Sequence, residues 1–418
     1  MIKTPFVFKF PNFRKIYAAS FFSEMGSFIT ETALMLFVFN LSGENKAYLG
    51  ITRASFLLCL TLGSIIGGPI GQRFNRKNVM ILSNIMRIPL ILGLIFSDNI
   101  YFVITINSLV ALFTGIYNPA RQAMINDIVP HEHISTANSI TSSSMAFLHL
   151  VGPFVGSWAY AYFSGIKQVL SFDLFTYFIG VMLLSATTYK PPQRNPEEEQ
   201  QSFMSEIGEG LGLVKSRLDL ISLYLNCILG GLCIGILVPL LLPFVTEILG
   251  KDEKTYGIVL SAFGLGGFAG GVLSAKLSNK FPPGKMIVTS ICIESIMMNI
   301  WVRCHDYTLN LIVIFLWGMV VFIRLPSQLN YISKTVETRY LTRTHSLLDL
   351  SFVIPNITGG VIVALIGNHF PTLTILKVVA ACFLIFIIPR IFFKEMKSLY
   401  NSTAKTVERD QSSFDTLS

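Results

Sequence analysis

Apolar stretches of about 20 residues recur twelve times along the chain, with short polar segments between them. A helix of that length rises about 30 Å, enough to cross the hydrocarbon core of a bilayer. Helices are predicted rather than barrel strands, because helices satisfy their own backbone in lipid and the stretches are too long and too uniformly apolar for strands. The predicted spans are 16–41, 48–71, 79–96, 101–120, 134–163, 169–187, 220–248, 256–277, 286–302, 309–332, 344–366 and 373–393.

The second half of the chain repeats the first. Residues 113–130 (FTGIYNPARQAMINDIVP) match residues 317–336 (WGMVVFIRLPSQLNYISKTV) at an offset of about 207 positions. The matched positions include Pro119 with Pro326, Arg121 with Gln328, Val129 with Val336, Ser83 with Ser290 and Arg87 with Glu294. Two homologous apolar halves are typical of a transporter that rocks one half against the other around a central site.

The polar segments predict the domain organisation. The stretch KPPQRNPEEEQQ, rich in proline and charge, is expected to be a solvated linker, followed by an amphipathic helix on the inner membrane surface. The predicted units are an N-terminal six-helix bundle (1–189), a cytoplasmic linker (190–219), a C-terminal six-helix bundle (220–396) and a disordered cytoplasmic tail (397–418).

Composition and charge place the chain in a bilayer. Hydrophobic residues make up 52% of it, charged residues only 13%, and the mean hydropathy is +0.60. The net charge of +8 does not predict nucleic-acid binding, because the basic residues are scattered singly and form no basic face with interleaved aromatics. With a cytoplasmic N-terminus, 24 of the 32 Lys and Arg fall in inner segments, so both termini are predicted to be cytoplasmic.

The sequence offers no enzyme chemistry. The six cysteines lie in or at the ends of spans without paired ligand spacing, so they are interpreted as small apolar fillers. Nothing near His131 and His133 completes a metal shell, and no nucleophile elbow or phosphate-binding loop is present. Neither a metal nor a cofactor is predicted.

Two carboxylates fall within the first span. Glu24 and Glu31 are seven residues apart, so they share one helix face about two turns apart. A carboxylate at that depth costs about 2.5 kcal/mol or more unless it is paired, hydrated or protonated, which predicts an aqueous cavity for proton coupling or substrate binding. In the alternative interpretation, Arg53 and Arg87 neutralise the two glutamates as buried structural pairs.

The segment GGPIGQRFNRK resembles the loop signature between the second and third helices of the major facilitator superfamily. The residues that carry this resemblance are Gly68, Gln72, Arg73, Arg76 and Lys77. More narrowly, Arg53 in TRASF, the SNIMR run ending at Arg87, NPARQAMINDIVP, STANSI and SFDLFTYFIG are similar to the branch that holds the enterobactin exporter and the macrolide efflux permeases. The resemblance covers nearly the whole chain. It implies an all-α membrane protein of twelve helices in two pseudo-symmetric six-helix bundles.

The loop departs from the family pattern at its acidic position, which is Gln72 here. The usual charge latch between this loop and the second half is therefore expected in a changed form. Arg73 is expected to reach Asp349 when the molecule faces outward, and Asp127 to offer a local partner to Arg76 or Arg121. In the alternative interpretation, these basic residues only fix the topology.

The fifth span contains VGPFVGSW, which resembles part of the antiporter signature of facilitator exporters. Gly152 and Gly156 are expected to let helices approach closely, and Pro153 to bend the span. The resemblance implies export coupled to an inward ion. Simple helix packing is the alternative.

The resemblance also implies which residues face the cavity, because the first, fourth, seventh and tenth helices line it in that fold. The residues so nominated are Phe28, Phe113, Asn118, Asn226 and Asn310, with Arg324 as a further candidate. Glu294 is a second candidate proton site, and it is expected to point, like Arg87, into its own half. Asp173, near an outer boundary of the sixth span, is left without an assigned role.

These observations predict a proton-coupled exporter of a siderophore or an amphipathic drug-like molecule, with sodium as the alternative ion. The expected protein is a monomer in the bacterial inner membrane. An importer working by symport is the nearest alternative, and a membrane enzyme or non-transporting receptor is a remote third.

Overall fold

The computed structural model describes residues 6–189 and 203–401. Twelve long helices fill these ranges, and each predicted span corresponds to one of them. The first six are α1 (Pro11–Leu41), α2 (Lys46–Arg73), α3 (Arg76–Ile95), α4 (Ile100–Ile128), α5 (His131–Tyr162) and α6 (Lys167–Ser185). After the short helix α7 (Phe203–Ser216), the next six are α8 (Leu218–Pro243), α9 (Glu253–Leu277), α10 (Pro283–Arg303), α11 (Tyr307–Thr335), α12 (Leu341–Ile366) and α13 (Thr372–Ile387). The short helix α14 (Lys394–Asn401) follows them.

Eleven helices of the described ranges are long and apolar enough to cross a membrane. The twelfth long helix, α5, is not among them, because its first half carries the polar run HEHISTANSITSSS. The prediction of an all-α fold is confirmed. The proposed linker and tail fall largely on residues 190–202 and 402–418, which lie outside the described residues.

The helices pack as two bundles, α1–α6 and α8–α13. The most extensive helix–helix contact of the first bundle is between α2 and α4, and that of the second is between α9 and α11. These are corresponding helix pairs of the two repeats. The bundles meet where α5 packs on α9 and α2 packs on α12. We call the end that carries the 42–45, 249–252 and 367–371 loops the outer end, following the charge prediction, and the opposite end the inner end.

Polar contacts between the two bundles cluster at the outer end. Lys46 Nζ lies 2.9 Å from Glu247 Oε1, and the Lys46 backbone N–H donates to Asn368 Oδ1 over 3.0 Å. Asn368 Nδ2 donates to Asn45 Oδ1 over 2.5 Å, and Asn40 donates to Glu253. We call this group of contacts the outer latch.

The backbones of α5 and α9 come unusually close beside the outer latch. A Cβ atom on Gly257 would lie 1.8 Å from Ser157 Oγ and 2.5 Å from the Pro153 carbonyl oxygen. Only glycine fits this position while the two helices stay in contact.

Candidate functional site

A polar cavity of 330 Å³ lies inside the N-terminal bundle, and all six helices of that bundle contribute to its wall. Its apolar lining includes Phe28, Phe56 and Leu60. Its polar and charged lining includes Glu24, Glu31, Arg53, Asn118, His149 and Asp173. Ligand sites commonly combine such apolar walls with a few convergent polar groups.

Each glutamate of α1 is paired with an arginine from another helix. Arg53 Nη1 donates to Glu31 Oε1 over 2.7 Å, and Arg121 Nη1 donates to Glu24 Oε1 over 3.1 Å. The Glu31 side chain is still 35% exposed, whereas that of Glu24 is 14% exposed. Glu31 is therefore the more accessible of the two carboxylates.

The position of Arg121 differs from the sequence expectation. The sequence predicts a place for Arg121 beside Asp127 at the cytoplasmic gate, but α4 continues as a helix past Pro119 to Ile128. Arg121 therefore belongs to a helix face directed at α1, and its guanidinium pairs with Glu24. Arg87, which was considered as a partner for these glutamates, pairs with neither among the described residues.

Arg87 is instead enclosed between aromatic rings. Arg87 is only 2% exposed. Its guanidinium carbon lies 5.1 Å from the ring centre of Tyr117 and 5.3 Å from that of Tyr177. Its Nη1 donates to Asn84 Oδ1 over 3.2 Å, and its Nε and Nη2 have no hydrogen-bond partner. Cation–π contacts with two rings replace part of the hydration that the guanidinium loses.

Asp173 is the third carboxylate of the cavity and is only 1% exposed. Its Oδ1 accepts a hydrogen bond of 3.4 Å from Thr176 Oγ1. No ion pair to Asp173 occurs in the part of the chain that the structure describes. A carboxylate with no cationic partner at this burial is costly in its charged form.

The C-terminal bundle encloses a different charged pair. Arg324 Nε and Nη2 donate to Glu294 Oε1 and Oε2 over 2.5 and 3.1 Å, and both residues are 4% exposed. Both residues therefore point into their own half. Arg324 does not line the cavity, contrary to expectation, because its guanidinium is engaged by Glu294.

Three more of the nominated lining residues lie elsewhere. Asn226 is fully buried and accepts a hydrogen bond of 2.8 Å from Arg390. Asn310 is fully buried at the start of α11, where it accepts from Trp301 Nε1 over 2.9 Å and donates to the Cys304 carbonyl. Phe113 is half-buried on α4 and is absent from the cavity wall. Phe28 and Asn118 do line the cavity.

The basic residues after α2 make contacts inside the N-terminal bundle. Arg76 pairs with Asp127, which also accepts from the Tyr189 hydroxyl over 2.5 Å, and Lys77 donates to the carbonyls that end α6. Burial and the hydrogen bond to Asp127 raise the pKa of Tyr189 to about 12, so its phenol keeps the donated proton at neutral pH.

The remaining residues of the predicted cytoplasmic gate, those of the loop signature and Asp349, lie at the inner end. Gln72 and Arg73 are exposed at the end of α2, Gly68 is half-buried one turn before them, and Asp349 is exposed on α12. No ion pair between Arg73 and Asp349 occurs within the described ranges. Both partners of the predicted latch are thus separate in this conformation.

The glycines of VGPFVGSW pack α5 closely against α1. A Cβ atom on Gly156 would lie 2.3 Å from the Ile29 carbonyl oxygen, and one on Gly152 would lie 2.7 Å from the Phe28 Cβ. Pro153 lies inside the continuous helix α5, and its carbonyl faces Gly257 of α9. This segment therefore connects the cavity wall to the contact between the two bundles.

Sequence reasoning missed His149 and gave no role to Asp173, although both line the cavity. The His149 ring contacts the Phe28 ring in a tilted arrangement, with ring centres 4.2 Å apart and 59° between the planes. A usable signal was that each is a titratable side chain within a predicted span. No cluster of three or more potential metal ligands occurs among the described residues. The arrangement is suited to binding an organic cation and to proton exchange.

Comparison with known proteins finds membrane transporters. The profile of a family described as "transmembrane secretion effector" matches residues 4–410. The multi-drug resistance efflux pump PmrA of Streptococcus pneumoniae is 23% identical over 361 residues, covering 82% of this chain and 88% of PmrA. An MFS-type transporter of Bacillus subtilis, YkuC, is 23% identical over 306 residues, covering 70% of each chain.

Two solved structures have a similar fold. A mutant of the nucleoside transporter NupG aligns with a TM-score of 0.74 at 12% identity, covering 93% of this chain and 100% of the other. A bacterial homolog of the human lysosomal transporter Spinster, in its inward-facing and unoccupied conformation, aligns with a TM-score of 0.65 at 16% identity, covering 95% and 98% of the two chains.

Proposed function

Since this chain belongs to the transmembrane secretion effector family of major facilitator transporters, we propose that it is a proton-coupled exporter of amphipathic, drug-like organic cations. It is a multi-pass membrane protein and a transporter, not an enzyme. The direction of transport, the antiport of protons and the substrate class are the proposed part.

The observation that carries the proposal is the charge of the cavity. Two carboxylates, Glu24 and Glu31, and the buried carboxyl group of Asp173 line it together with one arginine, Arg53, and with the aromatic rings of Phe28 and Phe56. Carboxylates and aromatic faces bind a lipophilic cation, whereas an anionic siderophore requires several cationic donors. The efflux pump PmrA is described as a multi-drug resistance protein, which supports the same substrate class.

In the proposed cycle, residues 1–189 and 220–396 move as two bodies and open the cavity alternately to each side. The outer latch holds the outer ends together, while Arg73 and Asp349 lie apart at the inner end. We assign this conformation to the inward-facing state, which is also the state of the Spinster homolog with a similar fold. Both termini lie in the cytoplasm in this proposal, and the protein works as a monomer in the bacterial inner membrane.

Glu31 is proposed to bind the positive charge of the substrate. Its carboxylate is partly exposed in the cavity, so a cation can compete with Arg53 for it. Glu24, held more deeply by Arg121, is proposed to fix the shape of the cavity beside it.

The test uses inverted membrane vesicles with an acidic interior and ethidium as the probe. Wild-type vesicles are expected to accumulate ethidium and to lose interior acidity faster when ethidium is added. Glu31→Gln is expected to lower accumulation about tenfold, and Asp98→Asn, which changes an exposed outer carboxylate, is the matched control. Ethidium leaving preloaded vesicles along with protons would instead identify a symporter. Enterobactin accumulation without ethidium accumulation would replace the proposed substrate class.

A further inference from the structure

The polar groups around Asp173 form an incompletely paired cluster. Charged and titratable side chains from every helix of the N-terminal bundle face this region, namely Glu24 and Glu31 of α1, Arg53 of α2, Arg87 of α3, Tyr117 and Arg121 of α4, His149 of α5 and Tyr177 of α6. The two glutamates are already paired with Arg53 and Arg121. Asp173 and Arg87 are the buried acid and the buried base of the cluster for which no ion pair is made among the described residues.

Asp173 and Arg87 both lie next to Tyr177, and no ion pair joins them among the described residues. Tyr177 follows Asp173 by four residues, so the two side chains lie one turn apart on the same face of α6. The Arg87 guanidinium lies over the Tyr177 ring at 5.3 Å. Two nitrogens of that guanidinium, Nε and Nη2, are buried and make no hydrogen bond. Arg87 therefore keeps unused donors beside Tyr177, the residue one turn from Asp173 on α6.

Burial decides the charge of Asp173 in this conformation. A carboxylate removed from water with only neutral hydroxyl donors beside it loses more solvation than those hydrogen bonds return. The Asp173 carboxyl is 1% exposed, and the side chains beside it that can donate are the hydroxyls of Thr176, at 3.4 Å, and Thr30. Burial therefore favours the neutral, protonated form of this carboxyl.

We propose that Asp173 carries the coupling proton and that Arg87 is the counter-charge that pairs with it once the proton has left. The proposal rests on the proposed function of proton-driven export. In the inward-facing state the O–H bond of the Asp173 carboxyl breaks, the proton passes to water of the cavity, and the carboxylate keeps the electron pair. Arg87 then donates its two unused N–H groups to that carboxylate. The carboxylate takes up a new proton when the cavity opens to the acidic outer side.

This assignment separates the coupling proton from the substrate. Glu31 binds the cation in the cavity, while Asp173 stores the proton behind it, next to α3. The two sites share the cavity wall, so a bound cation and a proton compete through their charges. An antiporter requires such competition, because the protein must release the proton when it binds the cation.

The test is an infrared titration of the full-length chain in nanodiscs of phosphatidylethanolamine and phosphatidylglycerol. The wild type at neutral pH is expected to show the C=O stretch of a protonated, buried carboxyl. Asp173→Asn is expected to abolish this band, whereas Glu24→Gln and Glu31→Gln retain it. Asp173→Glu is expected to shift the band in frequency, which keeps the assignment testable if Asp173→Asn folds poorly. A band that is absent from the wild type, or unchanged in both Asp173 variants, would overturn the proposal.

A transport arm separates this proposal from the function on which it rests. In proteoliposomes, Asp173→Asn is expected to exchange ethidium across the membrane but to lose accumulation driven by a proton gradient. If the proton gradient drives equal ethidium accumulation in the wild type and in Asp173→Asn, the assignment of Asp173 is overturned and the proposed function remains intact. A wild type that moves no ethidium would overturn the proposed function, and the infrared result would still decide whether Asp173 holds a proton.

Discussion

Arg324 forms a bidentate ion pair with Glu294 inside the C-terminal bundle, with N···O distances of 2.5 and 3.1 Å. At the repeat offset of about 207, Arg324 corresponds to Tyr117 and Glu294 corresponds to Arg87. These two residues are also in contact, with the Arg87 guanidinium carbon 5.1 Å from the Tyr117 ring centre. The same two positions of α3 and α4, and of α10 and α11, therefore touch in both halves. One half uses an ion pair there, and the other uses a cation against an aromatic face.

The Glu294–Arg324 pair is expected to be a structural element with strong coupling between its members. Glu294→Gln or Arg324→Gln should destabilise the protein by about 3–5 kcal/mol, because each leaves one buried charge without its partner. The double change Glu294→Leu with Arg324→Met should recover most of that loss. Thermal unfolding in detergent measures all three, and a double variant no more stable than either single variant would contradict this account.

The contact of Gly257 with α5 is expected to be necessary for the outer side to close. Gly257→Leu should hold α5 and α9 apart, because even a Cβ atom there meets Ser157 Oγ at 1.8 Å. Loss of transport, with a longer distance between spin labels on the outer ends of α5 and α9, is the expected result. The control is Gly271→Leu on the same helix, since a Cβ atom at Gly271 has no neighbour within 4 Å. Equal activity of the two variants would refute the prediction.

The ion pair of Lys46 with Glu247 is expected to bias the conformational equilibrium. Lys46→Glu should weaken outer closure by roughly 0.5–1 kcal/mol, about a two- to fivefold shift in population, because the pair is only partly buried. Glu247→Lys in the same chain should restore the wild-type population. Electron spin resonance distances across the outer end report the shift, and a double variant that behaves like Lys46→Glu argues against pairing.

Asp349 is expected to act in the state opposite to the one described. If Arg73 reaches it when the inner end closes, Asp349→Lys should favour the inward-facing state and slow transport, and Arg73→Asp combined with it should restore both. Accessibility of a single cysteine at the inner end provides the measurement. Unchanged transport and accessibility in Asp349→Lys would show that the basic residues of this loop only fix the topology.

The sequence predicted the helices and the internal repeat well, since both depend on where apolar residues stand along the chain. It also placed Glu24 and Glu31 correctly on one helix face, because seven residues make about two turns. The partners of these acids were harder to predict, since they depend on how neighbouring helices are rotated. Arg121 is an example, because it could be assigned to Glu24 only once α4 was known to continue beyond Pro119.

Asn226 and Asn310 show a second limit of sequence reasoning. An amide on a cavity wall and an amide that binds a neighbouring arginine or helix end have the same sequence signature. The hydrogen bonds of Asn226 to Arg390 and of Asn310 to Trp301 are set by tertiary packing. Asp173 was left unassigned for the same reason, because its position near a span boundary does not reveal that it is buried.

The unequal use of the repeats has a consequence for evolvability. A duplicated gene begins with two equivalent copies, and here the second copy has filled its charged positions with a self-sufficient pair while the first keeps a polar cavity. Substitutions that broaden the range of expelled compounds should therefore arise mainly in the first copy. In a serial-passage selection for resistance, residues 11–185 would be the mutable half, and the second copy would remain under purifying selection as the scaffold.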